Sequence, residues 1–394
     1  MKSITNVGLL VVCLAVTGFL TSVRAEAQEP RVLPFAGVAL DINERGDVVG
    51  YDSAYQAFVW TADGRRLPLG SLPGLPLCEA AGINNPGTVV GWCWGDGVPA
   101  SRAFVWTADG GMQDIGPGLA LAINDAGEIA GGGNVTADGR QEAWRWVAGQ
   151  RQLLGLSGTQ SAAVAITERG AMAVSGPSPD SLHVYRWTPS AGLRDTGITG
   201  YGLGINDDGA IVSSASWSWN PYVIEPDDRV REIPMWPGWI GSATDIADVG
   251  LVVGTATDVV SERTVAWVWR DGEGPVRLGG EGSAANAVNQ RGEVAGSVIG
   301  TDGLPYPAVW TLHLSADLQR RAVLTALSAQ LERGLVRGGP AKALRGQLER
   351  LAQRDPREQR EKRGDEGGAA RWQGHVRGLL QGGHLPAWDD WFVR

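Results

Sequence analysis

The sequence predicts an all-β fold: a seven-bladed β-propeller closed by an N-terminal strand, followed by a small α-helical C-terminal module. Three observations carry this. A pattern of an apolar residue, usually Asn, two variable residues and Gly recurs seven times, and its glycines stand 41, 40, 43, 39, 41 and 42 residues apart. Repeats of about 40 residues mark solenoids and propellers, whose units bury apolar surface only against one another. Each repeat divides into four short apolar segments separated by turn signals, with no helical period. Finally, the two ends of the array are offset by one strand. A closed ring uses that offset; an open β-solenoid, the competing architecture, does not need it.

The first element is an export signal. Lys2 gives a short basic start, and Val7 to Val23 is mostly apolar. Small residues follow at Val23-Arg24-Ala25 and Ala25-Glu26-Ala27, so a signal peptide over 1–25 is expected. The alternative is a retained anchor, but the run is marginal for spanning a bilayer, and no other stretch is long enough. Cys13 lies inside the run without the small-residue context of a lipoprotein site.

The array occupies 31–314. Its turns are Ile42 to Gly46, Ile83 to Gly87, Ile123 to Gly127, Ile166 to Gly170, Ile205 to Gly209, Ile246 to Gly250 and Val288 to Gly292. Asn suits the first position of a type I turn and Gly the fourth. Thr167 and Ala247 replace the Asn in the fourth and sixth repeats. Strand one precedes the turn. Strand two follows it, as in Asp47-Val48-Val49-Gly50. Strand three is aromatic, as in Ala57-Phe58-Val59-Trp60 and Ala266-Trp267-Val268-Trp269; the fifth repeat has Tyr222-Val223-Ile224 without the Trp. Asp-Gly turns such as Asp63-Gly64 lead to strand four, as in Arg66-Leu67-Pro68-Leu69. The seventh repeat reaches Trp310 and lacks strand four, which Arg31 to Phe35 can supply.

The module at 315–394 turns helical. Leu318, Val323, Leu324, Leu327 and Leu331 form one apolar face, and Leu344, Leu348 and Leu351 mark a second helix. A charged stretch near 355–368 reads as a solvated linker, with a basic docking patch as the alternative. Trp372, Val376, Leu379 and Leu380 suggest a third helix.

Composition narrows the function. The net charge is −9, with 33 acids against 17 Lys and Arg over 26–315. An acidic body argues against nucleic acid and other polyanions as partners. Signal removal leaves Cys78 and Cys93, an even pair that suggests a disulfide in an exported protein. The second turn centres between Asn85 and Pro86. Cys78 lies seven residues before Asn85 and Cys93 seven after Pro86, so they face each other if the turn adds no bulge.

The recurrent unit, apolar-Asn-x-x-Gly-x-Val-Val-Gly followed by Ala-Phe-Val-Trp, resembles the bacterial extracellular repeat of the HAF type over roughly residues 36 to 312. Its aromatic triplet is normally opened by His; here Gln56, Arg102 or Glu142 stands in that place. The resemblance implies a secreted β-propeller and no established activity. The tail is similar to a helical module at the C-termini of many bacterial secreted proteins, which implies only an accessory role.

No catalytic constellation emerges. His183, His313, His375 and His384 have no metal spacing, and no nucleophile elbow or phosphate loop is present. No cofactor or metal is expected. Carboxylates such as Glu44, Asp125, Asp207, Asp208 and Asp248 sit at turns, where turn chemistry explains them; calcium binding or acid–base work is the sharper alternative. Tryptophan is the strongest functional sign, with 17 against five Phe. Trp92, Trp94, Trp217, Trp219, Trp236 and Trp239 stand outside the repeat motif and are expected on one face, where rings can stack on sugars or grip a protein. Packing between blades is the competing explanation. The leading expectation is a secreted, monomeric, non-enzymatic protein binding a glycan or protein ligand. A polysaccharide-acting hydrolase or lyase, or a structural cell-surface repeat protein, is the alternative.

Overall fold

The computed structural model describes residues 29–314, except 97–99, 134–140, 157–160, 180 and 215–219. The expected signal peptide and helical module lie outside the described residues. Among the described residues every regular element is a β-strand, and no helix is long and apolar enough to cross a membrane. The 28 described strands pair antiparallel into five four-stranded sheets and one eight-stranded sheet. The large sheet holds the third and fourth repeats, which meet through the single pair Gly132–Ala162.

Each repeat is a meander. The first runs through Gly37–Ile42, Val48–Asp52, Ala57–Trp60 and Arg66–Pro68. The seventh supplies Ala284–Val288, Glu293–Ile299 and Pro305–Thr311, and Arg31–Val32 completes its sheet. Arg31 pairs with Val309 and Val32 with Ala308, and Leu33 N donates to Pro307 O at 2.8 Å. The N-terminal strand therefore closes the last sheet.

The turns form as their residues dictate. Gly46 sits at φ +85°, and its N–H donates to Asn43 O at 3.0 Å. The Asn43 side-chain oxygen accepts from the N–H groups of Arg45 and Asp47. That is a type I turn followed by a left-handed residue, the usual geometry of a longer hairpin loop. The Asn43 amide also donates to Asn84 O of the next repeat at 3.1 Å. Asn84, Asn124 and Asn289 reach the same way to Asn124 O, Thr167 O and Asn43 O.

Every strand one carries a one-residue bulge, at Leu40, Ala81, Leu121, Val164, Leu203, Thr244 and Asn286. A bulge bends its strand and re-aims a side chain. Thr244 Oγ1 and the Asn286 amide thereby donate to Ala285 O and Ala39 O in the following repeats. The bulge also explains the glycine ending Val-Val-Gly. A Cβ on Gly254 would lie 2.0 Å from Ser242 O, and one on Gly50 only 1.9 Å from Val38 O.

The cysteines show how register arises. Cys78 and Cys93 face each other and are disulfide-bonded. The condition attached to that expectation fails, since a bulge is present. Ile83 pairs with Val89 around a five-residue loop, which shifts the register by one, and the bulge at Ala81 shifts it back.

The core lies between sheets. Val49, Val59 and Leu69 of the first repeat pack with Ala80, Val89 and Phe104 of the second. Ala287, Ala295 and Val309 of the seventh pack with Ala39, Ile42 and Val48 of the first. Successive sheets thus bury one another, and the last buries the first. Trp144, Trp267 and Trp310 from strand three are fully buried in these layers.

Candidate functional site

An antiparallel meander puts the loops after strands two and four at one end, and the Asn-x-x-Gly and Asp-Gly turns at the other. The first end gathers aromatic residues and the second gathers carboxylates.

At the aromatic end, Trp92 and Trp94 close Val89–Trp94, opposite Glu79 and Leu77 of strand one. Trp94 meets Tyr55 of the first repeat edge-on, with centroids 5.3 Å apart. Tyr55 stacks on Tyr51 at 5.3 Å with their planes 8° apart. Tyr55 is 43% exposed and adopts φ 54°. A bulky side chain in the left-handed region is strained, and such residues cluster at functional sites. Asp52 holds this loop, accepting from Ala54 N and Gln56 N at 2.9 Å. Burial pushes the Tyr51 phenol pKa up, and the Glu79 charge adds to the rise. Burial alone raises Glu79.

A second aromatic group lies between the fifth and sixth repeats. Trp236 and Trp239 meet edge-on at 5.7 Å, and the Arg277 guanidinium lies 4.9 and 4.6 Å from their rings. Both tryptophans are half-buried against a core containing Ala243 and Trp267. Part of their role is packing. Trp217 and Trp219 lie outside the described residues. Of the six tryptophans, the structure joins Trp236 to Trp239 and joins Trp94 to Tyr55, which in turn stacks on Tyr51; neither tyrosine is marked by the repeat motif. The available signal was position, because Tyr51 lies near the end of strand two and Tyr55 in the loop that follows it.

At the turn end, side-chain oxygens link every repeat to the next. Glu44 N donates to Asn85 Oδ1, and Asn85 N to Asp125 Oδ1, each at 2.8 Å. Asp125 N donates to the Glu168 carboxylate at 3.2 Å, Glu168 N to Asp207 Oδ1 at 2.8 Å, and Asp207 N to Asp248 Oδ1 at 2.7 Å. Val249 N donates to Gln290 Oε1 at 3.3 Å, and Gln290 N closes the circle on Glu44 Oε1 at 2.9 Å. Just inside, Asp41 accepts from Ile83 N and Asp245 from Val288 N. Burial pushes Glu44 up to about 8, Asp41 and Asp248 to about 7, and Asp245 to about 6.

These carboxylates are occupied by main-chain donors. Their turn positions are explained less by turn formation than by tethering one repeat to another. Polysaccharide cleavage by the tryptophan end would require paired carboxylates there, whereas the most strongly shifted acids lie at the opposite end. Among the described residues no group of three or more His, Cys, Asp or Glu could hold a metal ion. His183 Nδ1 lies 3.0 Å from Asp195.

Solved structures similar to this chain are β-propeller proteins, and the fold is a β-propeller. A catalytically inactive virginiamycin B lyase from Staphylococcus aureus, bound to quinupristin, superposes with a TM-score of 0.51 at 13% identity. The likeness covers 73% of this chain and 100% of that one. A selenomethionine-substituted form of that enzyme gives 0.51 at 13% identity, over 73% and 99% of the two chains. A streptogramin B lyase gives 0.50 at 13% identity, over 72% and 97%. At such identity the likeness shows the fold alone. No family model and no curated protein matches the chain, so the HAF resemblance gains no support from them.

Proposed function

We propose that this chain is a secreted, non-enzymatic binding protein whose seven-bladed ring offers its aromatic end to a glycan. In this reading residues 1–25 are removed on export. The eight-stranded sheet counts as two blades touching through Gly132 and Ala162. Residues 315–394 form an accessory helical module, and the protein acts as a monomer. The disulfide agrees with an oxidising compartment.

The observation that carries the reading is the Tyr51–Tyr55–Trp94 group at the rim. Flat, rigid, partly exposed rings bind with little loss of side-chain freedom, and their faces suit the apolar faces of sugar rings. Tyr201, Ile240, Val260 and Ile299 are also exposed at this end and extend the apolar rim. A protein ligand is the second possibility.

The test is a screen of the purified protein against glycans and cell-wall polysaccharides, beside Tyr55→Ala/Trp94→Ala with its fold verified by circular dichroism. Glycan binding that disappears in the double variant supports the reading. Binding that survives in it, or no glycan binding by either protein, would sink it.

A further inference from the structure

Resting on the glycan reading above, we infer that Tyr51, Tyr55, Trp94 and Glu79 form a subsite for a protonated amino sugar. The pyranose stacks on the exposed Tyr55 ring beside half-buried Tyr51 and Trp94, and its ammonium group is neutralised by the Glu79 carboxylate.

The first support is the acid itself. Glu79 is half-buried on strand one, opposite Trp92. Among the described residues no hydrogen bond or ion pair reaches its carboxylate. Its neighbour Cys78 donates its main-chain N–H to Tyr55 O at 2.8 Å, which sets Glu79 beside the Tyr55 loop. A carboxylate taken from water without a partner is costly, and a ligand cation relieves that cost.

The second support is the company that several other aromatic rings keep. Arg66 covers Phe35, Arg145 covers Trp187, Arg151 covers Trp144 and Arg231 covers Trp269. Arg277 lies over both Trp236 and Trp239. No described cation covers Tyr51, Tyr55 or Trp94. The exposed Tyr55 ring is therefore available to an external cation, and the acidic body draws one in.

The third support is backbone strain. Tyr55 holds its ring in place at φ 54°, a conformation that costs a non-glycine residue energy. Stacking on Tyr51 and contact with Trp94 fix that ring at the rim. A neutral sugar would use the rings and leave the acid unpaired. An amino sugar uses both.

The test is calorimetric titration at neutral pH with four probes: a β-1,4-glucosamine hexamer, its fully N-acetylated form, a glucose hexamer and a lysine-rich peptide. The glucosamine hexamer is expected to bind at least about ten-fold tighter than either uncharged hexamer, as for a charge-assisted contact. Glu79→Gln, nearly isosteric, should remove that preference for the amine over the uncharged hexamers. Tyr55→Ala should weaken all three. Equal binding of the amine and N-acetyl forms overturns the inference and leaves the glycan reading standing. So does a Glu79→Gln variant that keeps the preference. Tighter binding of the lysine peptide than of any sugar overturns the inference in favour of a protein ligand. Absence of binding by every sugar overturns both.

Discussion

The main-chain N–H of Gln290 donates to the Glu44 carboxylate at 2.9 Å, and this bond joins the seventh repeat to the first. It completes a circuit in which an acid or amide side chain of each repeat accepts from the repeat before it. The adjacent bond from Asn289 to Asn43 O spans the same junction. The propeller is thus closed at both ends of the chain: by strand pairing at Arg31–Val32 and by side-chain bonds at the turns.

Glu44→Ala should weaken this junction. It leaves Gln290 N without its acceptor, a loss of about 1 to 3 kcal/mol for a buried donor. Glu44→Gln keeps an acceptor and should cost much less. Denaturant unfolding of both variants measures the difference, and equal stability would contradict the assignment.

Stability should fall as pH rises from about 5 to 8. Unfolded carboxylates titrate near 4. In the fold, burial raises Asp245 to about 6, Asp41 and Asp248 to about 7, and Glu44 to about 8. Between the two ranges the folded state holds protons that the unfolded state has released. The stabilisation from these groups is therefore full below about pH 4 and is lost as pH passes through the raised values. Melting temperatures across this window should decline, and Asp41→Asn/Asp245→Asn should flatten the decline. A rising profile would show that these groups do not titrate as described.

Two glycines should respond differently to the same change. Gly254→Ala drives a Cβ into Ser242 O and should cost about 3 kcal/mol or more, since main chain cannot yield cheaply. Gly64 has φ +89° but open space around it, so Gly64→Ala carries only backbone strain of about 1 kcal/mol. Similar melting points for the two variants would refute the bulge explanation.

Breaking the Cys78–Cys93 bond by Cys78→Ser/Cys93→Ser should lower stability by about 2 to 4 kcal/mol. Thiol reduction of the native protein should reproduce the shift. Unchanged melting after reduction would mean that the neighbouring strand pairs alone hold this hairpin.

Much of the fold was legible because turn chemistry repeats. Asn43, Gly46 and their six counterparts announce the hairpins, and the missing strand after Trp310 announces the closure. The bulges were not legible, because nothing in residues as different as Leu40, Ala81 and Asn286 marks a local geometry. The cysteine pairing came out right because loop and bulge shift the register in opposite directions. The turn circuit was legible and was missed. The position after the Asn reads Glu44, Asn85, Asp125, Glu168, Asp207, Asp248 and Gln290, all side chains with a carbonyl-type oxygen. It looks variable by residue name and is constant in chemistry. The candidate site was half legible. Trp94, Trp236 and Trp239 stood out by abundance, whereas Tyr51, Tyr55 and Glu79 became notable only once two repeats were side by side.

The most direct measurement of the central claim is a titration with the tightest-binding glycan of the native protein and of two variants, one at each end of the ring. Tyr55→Ala/Trp94→Ala alters the aromatic end, and Arg65→Ala alters an exposed Asp-Gly turn at the other. A loss of at least about ten-fold in affinity is expected for the first, a typical effect of truncating anchoring aromatic residues, and no change for the second. Loss in Arg65→Ala with the aromatic variant unaffected would place the ligand at the turn end and contradict the account.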